Sequence, residues 1–425
     1  MYRNRDHGLW EKTAPAAPAT SPLLADIVSD VVILGGGYTG LSAALHLAKR
    51  GVKAVVLEAE SIGFGGSGRN VGLVNAGMWV MPDDLPGVLG KVHGDRLLQT
   101  LGSAPDLVYE LIDEFRISCQ AVRNGTLHCA VGADGLQQLR DRESQWRARG
   151  ADVELLGRRE AARLIGTAAY EGALLDRRAG TVQPLAYARG LATAAIQSGA
   201  IVHTNSPVTK VEQSGPRWTA FTPHGRVLAD WVIVATNAYT HAPWESIAEE
   251  LVLLPYFNLA TEPLPREWRE RILPERQGAW DTREVLTSFR WDDSGRLVFG
   301  SVGALRNTGL NVHATWARRA MKKLFPGIGN VGFEEGWYGM IGMTDDSLPK
   351  FHQLGKNVVT FAGYNGRGIG TGTVFGKILS ELISGDISSE ELPLPVSLPK
   401  SQPFRKIRSI GYEMGAQALH LVEKR

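Results

Sequence analysis

The first sixty residues contain a glycine pattern that few folds accommodate. Gly35, Gly37 and Gly40 have GxGxxG spacing, after the apolar run 31–34 and before a segment of helical periodicity. A second apolar run ends at Glu58. In a βαβ unit such glycines permit a tight turn, the approach of a pyrophosphate and close packing of helix on strand. The pattern predicts dinucleotide binding, with Glu58 on the adenosine ribose. Because a carboxylate repels a 2'-phosphate, FAD or NAD is favoured over NADP.

A second GxGxxG match, at Gly63, Gly65 and Gly68, has no strand immediately before it. We therefore do not predict a separate nucleotide site there. The run 65–70 combines glycines with a hydroxyl and a guanidinium, and it can form a backbone nest for a diphosphate or a flavin edge. The alternative is a solvated surface loop.

The length and patterning of the chain predict two domains. At 425 residues it exceeds the usual limit for one hydrophobic core. Segment 84–165 is helical and charged, whereas 251–299 alternates aromatic and β-branched residues between prolines and glycines, which favours an antiparallel sheet. The predicted class is α/β (α+β overall), a Rossmann-like FAD-binding domain with a second domain built on an antiparallel sheet. The predicted segments are 28–83, 166–250 and 335–395 for FAD, 84–165 and 251–334 for substrate, and 396–425 for a C-terminal helical tail.

Composition narrows the class of partners. With 46 Lys and Arg against 44 Asp and Glu, the net charge of +2 gives no reason to expect a nucleic acid partner. No stretch approaches a membrane span, so no integral membrane association is expected. The two cysteines, Cys119 and Cys129, are too few for a disulfide framework, and the ten histidines show no metal spacing. Without a signal-peptide pattern, these features predict a cytoplasmic protein that binds no metal.

The C-terminal residues predict an amphipathic helix. Its apolar positions have near-helical spacing and are flanked by basic residues: Phe404, Ile407, Ile410 and Met414, with Arg405, Lys406 and Arg408. We expect a helix that packs by this apolar face on its own domain. Docking to a membrane or a partner is the alternative.

The runs 34–47 and 62–70 resemble those of the D-amino-acid-oxidase-like family of FAD-dependent oxidoreductases. The similarity is greatest to the bacterial branch that holds gamma-glutamylputrescine oxidase and L-pipecolate oxidase. It continues in 180–184, 232–238, 337–349 and 363–370, and so extends from about residue 28 to 390.

This resemblance implies one FAD, with the loop 363–371 returning under the flavin and Val208 contacting the adenine through its backbone. The residues assigned to FAD are Gly35, Gly37, Tyr38, Thr39, Gly40, Glu58, Gly66, Ser67, Gly68, Arg69, Asn70, Val208, Asn237, Gly366, Arg367, Gly368, Ile369, Gly370 and Thr371. Relatives with covalent FAD carry a cysteine that 339–346 lacks, so noncovalent FAD is expected. Val298 stands where oxygen-activating relatives have a lysine, which makes dehydrogenase chemistry a better expectation than oxidase chemistry.

An amino-acid substrate requires an anchor for its carboxylate, and the planar guanidinium of arginine suits that role. Arg290 is the first candidate by resemblance, against the alternative of a surface strand arginine. Arg367 and Arg69 are further candidates. Tyr364 is predicted either to close the ring pocket or to be a packed aromatic, and His128 to be a strand residue rather than a catalyst.

The predicted function is oxidation of the C–N bond of a small amine or of an imino or amino acid, by hydride transfer to flavin N5, which gives an imine. By resemblance L-pipecolate is the preferred substrate, followed by gamma-glutamylputrescine or an N-methyl amino acid such as sarcosine. Oxygen or an electron-transfer acceptor reoxidises the flavin. The alternatives of another class are an NAD-dependent dehydrogenase and a non-catalytic FAD-binding protein.

Overall fold

The computed structural model describes residues 7–423 and contains two large β-sheets with helices around them. The strands, numbered along the chain, are β1 (Ile27–Leu34), β2 (Ala54–Leu57), β3 (Leu73–Val74), β4 (Thr126–Ala130), β5 (Val153–Gly157), β6 (Gly172–Asp176), β7 (Gly180–Thr181), β8 (Ile201–His203), β9 (Lys210–Ser214), β10 (Arg217–Phe221), β11 (Arg226–Val234), β12 (Val252–Thr261), β13 (Gly278–Asp281), β14 (Thr287–Trp291), β15 (Leu297–Val302), β16 (Phe333–Met343), β17 (Lys350–Gly355), β18 (Val358–Ala362) and β19 (Val396–Ser397). The α-helices are α1 (Leu9–Thr13), α2 (Tyr38–Lys49), α3 (Leu85–Leu89), α4 (Lys91–Gly102), α5 (Ala104–Glu114), α6 (Gly132–Arg147), α7 (Arg158–Ile165), α8 (Pro184–Gln197), α9 (Glu245–Glu250), α10 (Arg266–Arg271), α11 (Gly309–Leu324), α12 (Gly368–Ser384) and α13 (Arg405–Val422).

The first sheet has nine strands, in the order β19-β17-β18-β11-β1-β2-β8, with β10 and β9 extending from β11. Its centre is parallel, since β1 pairs in parallel with β2 and β11, and β11 with β18. The apolar run 31–34 lies in β1 and is fully buried, as expected of a central parallel strand covered on both faces. The predicted βαβ unit is present as β1, α2 and β2.

Two glycines make this unit possible. Gly35 has a φ of +109°, a left-handed conformation that L side chains rarely adopt, and it turns the chain directly after β1. Gly40 lies in the first turn of α2, where a methyl group would overlap the carbonyl oxygen of Gly35. Glycine at this position therefore lets the start of the helix lie against the end of the strand.

The second sheet has eight strands, in the order β16-β12-β15-β14-β13-β4-β6-β5. Every pairing is antiparallel except the one between β13 and β4. One face packs on α11 through an aromatic cluster that includes Phe289, Phe299 and Trp316. The antiparallel sheet predicted from 251–299 is thus confirmed, and with it the mixed α/β class.

The pairing differs from the predicted segment boundaries at two strands. β6 and β16 join the second sheet, although 172–176 and most of 333–343 had been assigned to the FAD segments. β6 is a short apolar strand and β16 a strand of 11 residues, and the composition of neither specifies which sheet it completes. The division of the chain into two domains stays a prediction.

A short helix near the N terminus was not predicted. In α1 the side chains of Leu9 and Trp10 are buried, and Trp10 Nε1 donates a hydrogen bond of 2.9 Å to the carbonyl of Asn70. Gln183 Nε2 in turn donates to the carbonyl of Trp10 at 2.8 Å. This segment therefore packs beside the second glycine-rich loop.

The C-terminal helix α13 is present, but it does not pack by the predicted face. Phe404, Ile407, Ile410 and Met414 are 57 to 75% exposed. The buried residues are Ala416 and His420, which lie on the side facing β12 and α11. The prediction failed because the helix carries a second face of small and polar residues, and close approach to the sheet favours that face. Residues 424–425 of the predicted tail lie outside the described residues.

Candidate active site

The two glycine-rich loops meet at the N terminus of α2. Ser67 Oγ accepts a hydrogen bond from the backbone N–H of Tyr38 at 3.1 Å, and the Tyr38 hydroxyl donates to the carbonyl of Ser67 at 2.6 Å. Asn70 Nδ2 donates to the Tyr38 hydroxyl at 3.1 Å. The loop 65–70 is therefore packed on the first motif and is not the solvated surface loop of the alternative.

Glu58 lies where the sequence motif places it, directly after β2. Its carboxylate accepts hydrogen bonds from the backbone N–H of Gly36 at 2.6 Å and of Glu60 at 2.9 Å. Burial raises the pKa of Glu58, although these hydrogen bonds oppose the shift. The Ser206 N–H donates to the Glu58 carbonyl at 2.9 Å, so the loop that carries Val208 lies beside this carboxylate.

A third segment completes the site. It was expected to be a loop over 363–371, but the loop ends at Arg367, and 368–371 form the first turn of α12. Asn237 Oδ1 accepts a hydrogen bond from the Gly363 N–H at 2.9 Å, which ties the loop to the end of β11. The hydroxyls of Tyr364 and Thr39 lie 2.7 Å apart and so connect the loop to α2. Tyr364 is thus held as a packed aromatic.

Two helix N termini point their backbone N–H groups into this region. The N-cap residues of α2 and α12 make no side-chain capping hydrogen bond, and neither helix has an acidic residue in its first turn. In α2 the Ser67 hydroxyl accepts the N–H of Tyr38, and the N–H groups that follow face the region between the loops. The helices contact each other so closely that a methyl group on Gly376 would lie 2.5 Å from the carbonyl oxygen of Thr39. Uncapped N termini favour anionic groups. The site therefore fits FAD, with α2 for the pyrophosphate and α12 for the flavin ring.

Asn365 was not among the predicted site residues, yet it organises this loop. Buried to 3% exposure, it accepts the Thr344 N–H on Oδ1 at 2.9 Å and donates from Nδ2 to the Gly363 carbonyl at 2.6 Å. Its signal in the sequence is weak, because asparagine beside glycine usually marks a plain turn.

Replacing Asn365 by alanine is expected to lower the free energy of unfolding by about 1–3 kcal/mol, since buried backbone groups lose their partners. FAD should also dissociate faster from this variant. Asn307→Ala is the matched control, because Asn307 has the same φ of +50° but is exposed. Urea unfolding and FAD release, measured side by side, test this, and equal losses in the two variants would contradict it.

Arg290 is fully buried, so the alternative of a surface strand arginine is wrong. Its Nε donates to the carbonyl of Trp291 at 3.0 Å, and Nη1 donates to the carbonyl of Val182. Its guanidinium carbon lies 5.6 Å from the ring centre of Trp10. Burial lowers the pKa of Arg290 to about 10. Main-chain carbonyls thus hold this side chain, and its role as a carboxylate anchor stays a prediction.

Arg367 occupies a different environment. Its Nη1 donates to the carbonyl of Ala76 at 2.8 Å, and its guanidinium carbon lies 4.8 Å and 5.2 Å from the ring centres of Trp79 and Trp280. It lines a cavity of about 30 Å³ that Arg290 does not line. Sequence reasoning missed Arg142, Trp146 and Trp280, which line the same cavity, and His128 lines it as well.

Residues 30–382 match the family model described as FAD dependent oxidoreductase (DAO). The chain belongs to this family. It is 32% identical to gamma-glutamylputrescine oxidoreductase of Escherichia coli, over 85% of this chain and 84% of that protein. It is 28% identical to a probable oxidoreductase, OrdL, of Haemophilus influenzae, over 93% and 92%. Glycine oxidase from Geobacillus kaustophilus shares the fold, with a TM-score of 0.69 and 20% identity over 85% of this chain and 96% of that one.

Family membership confirms the resemblance and identifies the chain as an enzyme, an oxidoreductase whose family depends on FAD. It favours FAD over the NAD-dependent alternative. Within residues 7–423 no helix is long and apolar enough to cross a membrane. In the same part of the chain, no cluster of His, Cys, Asp or Glu is arranged to hold a metal ion. The cytoplasmic location stays a prediction.

Proposed function

We propose that the chain binds FAD noncovalently and oxidises the C–N bond of a small amine or amino acid to an imine. The observation that carries this proposal is the position of Arg367, a cation between two tryptophans at the start of α12. A guanidinium there can orient an anionic substrate beside the flavin loop. The names of two similar proteins, gamma-glutamylputrescine oxidoreductase and glycine oxidase, support an amine or amino-acid substrate.

The chain's own residues supply positioning and electrostatics. The chemistry that bound FAD would supply is acceptance of a hydride from the carbon next to the substrate nitrogen. The N–H groups at the start of α12 would favour negative charge on a flavin ring held beside them. Trp79 and Trp280 cover part of the Arg367 guanidinium, and lower exposure to water strengthens its attraction to a substrate carboxylate.

Noncovalent attachment is supported by the two cysteines. Cys119 and Cys129 are both buried, and burial raises the pKa of Cys119 to about 12 and that of Cys129 well above its usual range. Such thiols stay protonated and are poor nucleophiles. Val298 is fully buried in a cluster with Trp10 and Trp337, so no amino group stands at the position of the lysine in oxygen-activating relatives. We expect reoxidation by an electron-transfer acceptor to be faster than by oxygen.

Among the predicted substrates, the relative at 32% identity favours a gamma-glutamylputrescine-like amine. L-pipecolate and N-methyl amino acids remain candidates from the resemblance alone. We expect at least one of them to bleach the oxidised-flavin absorbance when added without oxygen to the FAD-loaded protein.

Admitting air to the bleached enzyme then separates oxidase from dehydrogenase chemistry. If dithionite bleaches the flavin but none of the amines does, the amine assignment is excluded. The non-catalytic FAD-binding alternative would then remain. A protein that stays colourless after FAD is added would exclude the cofactor.

A further inference from the structure

The cavity beside Arg367 has the composition of an anion site. It lies between the second sheet and the segment 75–79, and Arg142, Arg367, His128, Trp280, Leu174 and Asp176 are among its lining residues. We call it the twin-arginine pocket. Its volume of about 30 Å³ exceeds what one water requires and suits a group with two oxygen atoms.

The charges in the twin-arginine pocket do not balance. Asp176, the carboxylate in its wall, is already engaged, because Arg178 donates to its two oxygens at 2.9 Å and 2.7 Å. Among residues 7–423 no carboxylate lies within 4 Å of the guanidinium of Arg142 or Arg367, although other arginines, such as Arg178 and Arg217, form such ion pairs. Burial lowers the pKa of Arg142 to about 10, and burial with the nearby Arg142 charge lowers that of Arg367 to about 9. A buried cation, Arg142, and a half-buried one, Arg367, thus line one cavity, and neither has a carboxylate partner among the described residues.

Several N–H donors in the pocket also have no partner within the described chain. They are Arg142 Nε, Arg367 Nε and Trp280 Nε1, and His128 Nδ1 is unpartnered as well. Arg142, Trp280 and His128 are each 6% exposed. A buried N–H without a partner is unfavourable, so each of these donors favours a ligand that accepts a hydrogen bond. A carboxylate accepts about four hydrogen bonds and carries the charge that this pocket lacks.

The segment behind the pocket fixes both guanidiniums in place. Arg142 donates from Nη1 to the carbonyl of Met78 at 3.1 Å and from Nη2 to that of Trp79 at 2.6 Å, while Arg367 donates to Ala76. These hydrogen bonds use Nη atoms of the two arginines and leave the Nε–H of each available to a ligand. Trp280 is held by stacking on His128, with ring centres 3.4 Å apart. The donors are therefore oriented before any ligand arrives, which lowers the entropy cost of binding.

We propose that the twin-arginine pocket binds the carboxylate of the substrate, with Arg142 and Arg367 as its counter-ions. This deepens the proposed function and rests on it, because Arg367 links the pocket to the flavin loop. The pocket accommodates a carboxylate head, so the amine to be oxidised lies on the remainder of the molecule. The substrate class is then an amine that carries a carboxylate, and a plain diamine is excluded.

The first test measures binding without turnover. FAD-loaded protein is titrated with propionate and with its neutral analogue propionamide, by flavin difference absorbance and calorimetry. Propionate should bind and propionamide should not. Arg142→Gln should weaken propionate binding about ten- to hundredfold, since a charge-assisted contact is lost. Arg140→Gln, at an exposed arginine on the same helix, is the matched control and should leave binding unchanged.

Since Arg142 also holds Met78 and Trp79, Arg142→Gln can fail to fold, and Trp280→Phe then provides the second variant. It removes one N–H donor while keeping an aromatic ring, and propionate binding should weaken severalfold at similar thermal stability. Equal binding of propionate and propionamide, or propionate binding that is unaffected in both variants, would overturn the proposal. Equal turnover of amines with and without a carboxylate would also overturn the proposal. The titration measures binding and needs no turnover. If the enzyme oxidises none of the amines but still binds propionate, the proposed function is refuted and the carboxylate site is retained.

Discussion

Gly40→Ala is expected to purify without FAD. The added methyl group has no space between α2 and the carbonyl oxygen of Gly35, so the helix start must move away from β1. Overpacking of this kind costs about 1–3 kcal/mol. Because the moved segment carries the N–H groups that face the pyrophosphate, we expect FAD affinity to fall about ten- to hundredfold. The flavin-to-protein absorbance ratio after gel filtration, followed by FAD titration, measures this.

Gly415→Ala is the matched control for this substitution. Gly415 also lies inside a helix, but nothing lies within 4 Å of the position its methyl group would take. Alanine there should raise stability by about 0.5–1 kcal/mol through helix propensity and leave FAD binding unchanged. If Gly40→Ala kept FAD at a one-to-one ratio, close approach of α2 would not be required for the cofactor.

The parts of the fold that were predicted correctly depend on local patterns. The short apolar run 358–362, which lies between Gly355 and Gly363, forms β18, because such a run is typical of a buried strand. The helix that follows, α12, begins at Gly368, inside the segment 363–371 that was expected to be a loop. Glycines near 370 have low helix propensity, and packing against α2 outweighs it there.

The pocket residues could not be found in this way, because their environment comes from distant parts of the chain. Arg142 lies on a highly charged helix and has the pattern of an exposed residue. Its burial results from Met78 and Trp79, which are 64 and 63 residues away. Arg290 lies in β14, yet its partner Val182 is 108 residues away. A sequence pattern shows which residues share an element and does not show which loops cover them.

Lowering the pH from 7 to 5 is expected to destabilise the FAD-loaded protein, because several histidines are buried in the neutral form. His46 donates from Nδ1 to the carbonyl of Ser42 at 2.7 Å, and burial lowers its pKa to about 4. Burial likewise lowers the pKa of His313 to about 4 and that of His128 well below its usual value.

The direction of this effect follows from proton uptake. An unfolded histidine has a pKa of about 6.5, so between pH 6.5 and 4 the unfolded chain binds more protons than the folded one. The stabilisation is complete above pH 6.5 and is lost as the pH falls toward 4. At pH 5, His46 and His313 should each contribute roughly 2 kcal/mol of destabilisation. The raised pKa of Glu58 acts in the opposite direction and offsets a part of this at the acidic end.

Urea unfolding midpoints at pH 7, 6 and 5 measure the effect, and His46→Gln assigns it. Glutamine cannot take up a proton, so the variant should lose less stability than the parent over this range, even if it is less stable at pH 7. His241→Gln, at an exposed histidine, should follow the parent curve. A parent midpoint that stays constant from pH 7 to 5 would show that protons reach these histidines without unfolding, and the buried neutral form would then contribute nothing to stability.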